Sequence, residues 1–222
     1  RLRALQREGA TGTALVRAAR EEGAALLVAG TSQRAGLDRL RHGSVAGEIL
    51  DGARLNLCIV PAPDDGLPAA VRYRSVLAVT DLSPLGNAAV PHAYALLPAG
   101  GTVHLLHVRE VEEPGETSMI IHLPKSSNPE ESARESAAAA AALSALVPES
   151  SATPGVETRI EVAEAPDAAD GIRQAAERLG ADAIVLATRG RSGLGKALLG
   201  SVADRVLKEA GRPVLLIRST QA

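Results

Sequence analysis

Apolar runs and helix-like stretches alternate along most of the chain. From residue 72 onward, apolar runs predict strands at 75–80, 102–108, 157–162, 183–186 and 214–217. Between them, Ala-rich or amphipathic stretches predict helices at 83–97, 131–146, 167–179 and 201–210. Strands that alternate with helices are typical of a parallel, doubly wound sheet. The polar segment 110–129 is long for a loop, and we expect a lid, an insertion or an interaction element there.

The same pattern occurs a second time upstream, without a gap. Residues 23–31 resemble residues 180–188, an offset of 157, and the loops that follow contain the matching glycines Gly43 and Gly200. A gapless match through a glycine-containing loop disfavours chance similarity between two Ala-rich sequences. The chain is therefore predicted to contain two copies of one unit.

The two copies are unequal in length. Residues 72–219 form a complete second copy, whereas residues 1–62 contain only the closing part of a first copy whose first two strands are absent. The elements predicted in this part are a third strand at 2–6, a helix at 13–22, a strand at 26–29, a helix at 44–53 and a strand at 57–60. Residues 63–71, rich in Pro and Gly, are the predicted linker. We expect a tandem protein of which part is missing; the alternative is a natural half-domain.

A loop near the C-terminus has the spacing of a phosphate-binding site. It begins at Ala187, nine residues separate Gly190 from Gly200, and a predicted helix starts at Ser201. Glycines let backbone N–H groups approach a phosphate, and a helix N-terminus adds about half a positive charge. Either Arg191 or Lys196 can add positive charge or remain solvated. The alternative for this loop is turn geometry without a ligand.

Three predicted strands end near this loop. They end at Asp81, at Val108 and at Ala187. Open parallel sheets bind ligands at the carboxyl ends of strands where the strand order reverses, so these residues should converge on one crevice. The alternative for Asp81 is a capping or turn residue before a helix that starts at Ser83 or Pro84.

Composition narrows the possible functions. The net charge is −2 and aromatic residues make up 1% of the chain, so neither a basic field nor stacking side chains favour nucleic acid or an anionic membrane. No stretch approaches the roughly 18 apolar residues of a membrane span. The single cysteine, Cys58, lies in an apolar run and is predicted to be a buried strand thiol, consistent with a reducing cytosol. His104 and His107 should face opposite sides of their strand, so a shared metal is not expected.

Together these features resemble the universal stress protein family over nearly the whole chain. The features are a strand that ends in Asp81, the pattern Ala187-x-x-Gly190-x9-Gly200-Ser201, and the closing apolar strand at 213–217. The resemblance implies a Rossmann-like sandwich with a five-stranded parallel sheet in the order 3-2-1-4-5. It also implies a cleft that binds ATP in one branch of the family.

The resemblance implies a role for each site residue. Asp81 would accept hydrogen bonds from the ribose or the adenine, and Val108 would contact the adenine through its side chain or backbone. The residues expected to hold the phosphates are Gly190, Arg191, Gly200 and Ser201. Ala187, at the start of the loop, is expected among the nucleotide-binding residues. Mg²⁺ or Mn²⁺ would accompany the nucleotide through its phosphates.

Two departures from the family pattern bear on this site. Ala187 stands where the ATP-binding pattern has glycine, and one methyl group at a point of close approach would weaken or block nucleotide binding. In the first copy, Gln33 replaces the second glycine, between Gly30 and Gly43. We therefore expect the first copy to hold a degenerate site that is kept for the interface.

The resemblance also implies that the last strands of the two copies pair. The segment from Leu57 to Val60 would lie against the segment from Val214 to Ile217, and the same strands could support a homodimer. The expected function is that of a cytoplasmic stress-response protein that binds ATP, ADP, AMP or cyclic AMP in its second copy. The alternatives are a nucleotide-free dimerisation or scaffold module and a slow ATP hydrolase, weak because no general base is evident beside the loop.

Overall fold

Alternating helices and strands make up most of the computed structural model, which describes residues 4–32, 45–62, 72–111, 129–149, 154–188 and 199–218. In chain order the elements are α1 (Thr11–Glu21), β1 (Leu26–Ser32), α2 (Val45–Gly52), β2 (Asn56–Ala62), β3 (Ser75–Val79), α3 (Pro84–Asn87), α4 (Val90–Leu96), β4 (Thr102–Glu110), α5 (Pro129–Ser144), β5 (Glu157–Ala165), α6 (Ala168–Arg178), β6 (Ala183–Ala187), α7 (Ser201–Glu209) and β7 (Val214–Ile217). Within these ranges no helix is long and apolar enough to cross a membrane.

All seven strands belong to one sheet, in the order β1-β2-β7-β6-β3-β4-β5. The five strands of the second copy are parallel to one another. Numbered within that copy, their order is 3-2-1-4-5, so the predicted doubly wound fold is confirmed. The strand order reverses between β3 and its neighbours β4 and β6, which opens a crevice at the carboxyl ends of these strands.

The two copies meet at an antiparallel pair of strands, as predicted. Leu57 of β2 lies opposite Leu216 of β7, and Cys58 lies opposite Leu215. Each of the two strands also has a parallel neighbour on its other side. β2 and β7 therefore cannot pair with a strand of a second chain unless they first release one of their present neighbours. A homodimer stays a prediction.

Apolar side chains cover both faces of the central strands of the sheet, whereas Leu26 and Val28 of the edge strand β1 are exposed. On one face, residues of α2 pack with residues of α6 and α7 in a single cluster that includes Leu57, Leu77 and Leu216, all fully buried. On the other face, residues of α4 and α5 cover Val76, Val185 and their neighbours. The first face therefore holds both copies in one continuous hydrophobic core.

The structure differs from the sequence prediction in four elements. The helix expected at 83–97 is divided into α3 and α4, because Pro91 has no N–H to bond to the carbonyl of Asn87. The strand expected at 2–6 is not formed in its described part, where residues 4–8 are irregular and pair with no strand of the sheet. Strands β4 and β5 continue beyond their predicted ends, in register as far as Glu110 and Ala165. The predicted linker 63–71 and most of the segment 110–129 lie outside the described residues, and the domain boundaries stay a prediction.

Candidate functional site

A cavity of about 350 Å³ lies at the carboxyl ends of β3, β4 and β6. Its size falls within the range of small-molecule sites. The residues that line it are Val79, Thr80, Asp81, Gly86, Val108, Glu110, Ala168, Ile172, Leu186, Ala187, Gly200, Ser201, Val202 and Ala203. Five residues predicted from the sequence are thus brought together: Asp81, Val108, Ala187, Gly200 and Ser201. The other two, Gly190 and Arg191, lie outside the described residues, as do Lys196, Gln33 and Gly43.

Asp81 lines the cavity from the turn that joins β3 to α3. Its Oδ1 accepts hydrogen bonds from the Ser83 backbone N–H at 3.1 Å and from the Ser83 hydroxyl at 2.6 Å. Ser83 Oγ in turn accepts the Gly86 N–H at 3.0 Å and is the N-cap of α3. Ser83 rather than Asp81 therefore caps the helix, and the carboxylate of Asp81 is oriented by the capping residue.

The turn around Asp81 is held in an uncommon backbone conformation. Leu82 has a φ of 65°, in the left-handed region, which costs roughly 1–3 kcal/mol for a residue other than glycine. Its N–H donates to Thr80 Oγ1 at 2.9 Å, and the Thr80 hydroxyl donates to Asn87 Oδ1 at 2.7 Å. Leu82 also packs against the core. These contacts fix the carboxylate of Asp81 at the mouth of the cavity.

The opposite wall is formed by β4 and the start of α6. Val108 lies against α6 at Gly171, where an added Cβ would be 2.8 Å from Val108 Cγ1. The N-terminus of α6 is capped by Asp167, whose Oδ1 accepts the Ala169 N–H at 2.9 Å. The N–H of Ala168 donates to Glu110 Oε1 at 3.2 Å. The carboxylate of Glu110 is therefore anchored on the cavity wall.

The N-terminus of α7 points its backbone N–H groups toward the cavity. Its N-cap is Gly200, which makes no side-chain cap hydrogen bond, whereas α3 and α6 are capped by Ser83 and Asp167. The first N–H groups of a helix have no partner within the helix, and here they belong to Ser201 and the two residues after it, which line the cavity. A helix N-terminus whose own N-cap residue supplies no side-chain acceptor suits an anionic group, and the described residues fit the phosphate end of a nucleotide.

Sequence reasoning missed several residues of this site. Thr80 precedes Asp81, and its hydroxyl supports the turn at Leu82. The sequence contains no pattern that predicts this turn. Glu110 was missed because the strand was predicted to end at Val108. The signal was present, since Glu110 is two residues beyond Val108 and so lies on the same face of the strand. Ile172 and Leu186 form part of the apolar wall. They lie in the helix and in the strand that the sequence predicts at 167–179 and 183–186.

The two histidines of β4 and Cys58 differ in burial, and Cys58 is less buried than predicted. Burial lowers the pKa of His104, and the nearby Arg159 guanidinium lowers it further. His107 lies with Nδ1 2.9 Å from the Thr80 carbonyl oxygen. Cys58 is half-buried, and burial raises the pKa of its thiol. Among the described residues, no group of three His, Cys, Asp or Glu side chains is placed to hold a metal ion.

The family model that matches this chain is that of the universal stress protein family, over residues 2–61 and 72–218. Because the match spans most of the chain, the chain belongs to the universal stress protein family. The two matched segments correspond to the two copies recognised in the sequence.

Relatives with the same description are found in archaea and bacteria. A universal stress protein of Methanocaldococcus jannaschii is 45% identical over 64 residues, which are 29% of this chain and 37% of that protein. Universal stress protein G of Shigella flexneri is 29% identical over 149 residues, covering 66% of this chain and 99% of that protein.

Solved structures share the fold of this chain at low sequence identity. A universal stress protein from Archaeoglobus fulgidus has a TM-score of 0.56 at 18% identity, and the match covers 93% of this chain and 64% of that chain. A protein of unknown function from Pseudomonas aeruginosa PAO1 has a TM-score of 0.62 at 18% identity, covering 96% and 69%. The chain thus spans about two thirds of the length of these proteins.

Proposed function

We propose that the second copy binds an adenine nucleotide in the cavity at the ends of β3, β4 and β6. The observation that carries the proposal is the convergence of Asp81, Val108 and the N-terminus of α7 on one cavity of about 350 Å³. Apolar walls suit a purine base, the Asp81 carboxylate suits the ribose hydroxyls, and backbone N–H groups suit a phosphate. ATP, or its relatives ADP, AMP or cyclic AMP, would enter with Mg²⁺ or Mn²⁺ held through the phosphates.

In this proposal the protein is a cytoplasmic regulator of a stress response. Occupancy of the cavity would change the conformation or the partners of the chain, and no chemical step is required of it. The family membership supports the stress-response part of the proposal. The geometry around Asp81 and Ser201 supports the nucleotide part.

The proposal is tested by identifying what the protein carries and what it binds. Freshly purified protein is denatured, the supernatant is analysed by mass spectrometry, and stripped protein is titrated with ATP and Mg²⁺ in a calorimeter. We expect the supernatant to contain an adenine nucleotide, or the titration to give measurable heat of binding. In Asp81→Ala, the amount of bound nucleotide and the affinity for ATP should both be lower. Asp51→Ala is the matched control, because Asp51 is exposed on α2 and does not line the cavity. Absence of both nucleotide and heat would contradict the proposal.

A nucleotide-free dimerisation or scaffold module is the second candidate. It is favoured by the antiparallel pairing of β2 with β7, which joins the two copies regardless of any ligand, and by Ala187, which lines the cavity where the family pattern has glycine. Stoichiometric bound ATP would end this alternative.

Slow ATP hydrolysis is the third candidate. The described walls of the cavity carry two carboxylates, Asp81 and Glu110, and Glu110 is already bonded to the N-terminus of α6. We therefore expect at most weak turnover. If Asp81→Ala retains full hydrolysis, the activity belongs to a contaminant.

A further inference from the structure

Glu110 is the second carboxylate of the cavity, and none of the roles above uses it. We propose that Glu110 selects the base of the bound nucleotide by accepting a hydrogen bond from the amino group at C6 of adenine. This inference rests on the proposed function and extends it from nucleotide binding to base specificity.

The strand order gives the direction in which a nucleotide would lie. Ser201 follows β6, Asp81 follows β3 and Glu110 ends β4, and these three strands are neighbours in that order. Adjacent strands are about 4.8 Å apart, so the end of β4 is roughly 10 Å from the end of β6. That span matches the distance from a phosphate to its base across a ribose. With phosphates at α7, the ribose passes Asp81 and the base reaches β4.

The end of the cavity at β4 combines an apolar surface with one fixed acceptor. Val108 and Glu110 lie on the same face of β4, because they are two residues apart in a strand. Val108 and Ile172 offer contact to the face of a purine. The Ala168 N–H, bonded to Glu110 Oε1 at 3.2 Å, holds the carboxylate group beside them. In this proposal, the second oxygen of the group faces the edge of the base.

A carboxylate in this position distinguishes purines by the group at C6. An ionised carboxylate accepts hydrogen bonds and donates none. Adenine carries an amino donor at C6, whereas hypoxanthine has the same ring shape and a carbonyl oxygen there. The carboxylate attracts the amino group of adenine and repels the carbonyl oxygen of hypoxanthine. A site whose polar group is hydrogen-bonded by the correct ligand rejects an analogue that leaves this group without a partner. The cavity should therefore prefer ATP to ITP.

The test compares ATP with ITP on the full chain and on two matched variants. Wild type, Glu110→Gln and Glu177→Gln are titrated with each nucleotide and Mg²⁺ by calorimetry. Glu177 is the control because it is exposed on α6, pairs with Arg173 and carries the same charge away from the cavity. The Gln side-chain oxygen at position 110 can still accept the Ala168 N–H, so the fold is expected to survive, and thermal melting checks this.

We expect wild type and Glu177→Gln to bind ATP at least about tenfold more tightly than ITP, the value of one charge-assisted hydrogen bond. In Glu110→Gln the ratio should fall below about threefold, because an amide can donate to the carbonyl oxygen as well as accept from the amine. An unchanged ratio in Glu110→Gln, with ATP still bound, overturns this inference alone. A wild-type preference for ITP over ATP also overturns it. If neither ATP nor ITP binds wild type, the proposed function fails and this inference fails with it.

Discussion

Gly86 packs directly against the carboxylate of Asp81. A Cβ added at Gly86 would lie 2.9 Å from Thr80 Oγ1 and closer still to Asp81 Oδ1. The first turn of α3 therefore lies on the carboxylate that faces the cavity, and only glycine leaves room for this arrangement. The position of Asp81 depends on a residue that makes no polar side-chain contact of its own.

Replacing Gly86 with alanine should weaken nucleotide binding. The added methyl group displaces Asp81, and loss of one hydrogen bond to a charged group corresponds to about a tenfold weaker affinity for ATP. Calorimetric titration measures the change. Gly52→Ala at the end of α2 is the control, because a Cβ there meets only Val16 at 3.7 Å, an ordinary contact. Equal affinity in Gly86→Ala and wild type would show that Asp81 does not contact the nucleotide.

Ala187 should limit the affinity of the cavity. Ala187→Gly removes a methyl group from the lining, and we expect tighter ATP binding by several-fold, whereas Ala187→Val should abolish detectable binding by adding bulk at the same point. Ala183→Gly, at the other end of β6 and buried, shows what a strand glycine does to stability alone. Titrations and melting curves of the three variants separate the two effects. If Ala187→Gly binds no more tightly than wild type, the methyl group is not an obstacle.

The corresponding helices of the two copies use different devices to satisfy their N-termini. Glu48 of α2 accepts the Thr13 N–H at the start of α1 at 3.1 Å, and the N-cap residue Ala10 has no side-chain cap. At the matching place in the second copy, offset by 157 residues, Arg205 pairs with Asp167 at 2.7 Å. We expect Glu48→Ala to lower the free energy of unfolding by about 1 kcal/mol, the usual value of a lost cap.

Glu48→Gln is the matched variant for this cap, because its side-chain oxygen can still accept the Thr13 N–H. Urea denaturation should show a smaller loss for Glu48→Gln than for Glu48→Ala. ATP affinity should not change in either variant, since Glu48 lies outside the described lining of the cavity. Equal stability of all three proteins would rule out the capping role.

The pairing of β2 with β7 should couple the stability of the two copies. Leu57 and Leu216 face each other in register and are fully buried. Each change to alanine should lower the free energy of unfolding by about 2–5 kcal/mol. A double-mutant cycle by urea denaturation should give an interaction energy of at least about 0.5 kcal/mol. Strictly additive effects would mean that the two leucines are stabilised independently.

His104 should make stability depend on pH. Burial holds the pKa of this imidazole below its ordinary value of 6.5, with Arg159 adding to the effect and Glu161 and Glu157 opposing it. The unfolded chain therefore takes up a proton that the folded protein resists, so stability falls as the pH drops below about 6.5. In His104→Gln this part of the dependence should disappear. The measurement is the change in urea midpoint between about pH 7.5 and about pH 5.5 for each protein. The same change in wild type and His104→Gln would contradict the prediction.

The sequence was sufficient for the fold because each element carries its own local signal. The apolar runs around Leu77 and Ile184 and the Ala-rich stretch of α5 predict strands and helices, and the repeat predicts two copies of one unit. The strand order and the contact between β2 and β7 were implied by the resemblance to the universal stress protein family. The site was predicted where residues sit at strand ends or helix starts, as Asp81 and Ser201 do. Residues whose role depends on packing were not found, because Gly86 becomes necessary only when α3 lies on Asp81, and the turn at Leu82 leaves no mark in the sequence.

The opposite directions of β2 and β7 determine where the two copies can meet ligands. Because β1 and β2 run in the opposite direction to β3, β4 and β6, the carboxyl ends of the two groups of strands lie on opposite sides of the sheet. Strand ends of the two copies therefore face opposite poles of the molecule, and one small ligand cannot bridge them.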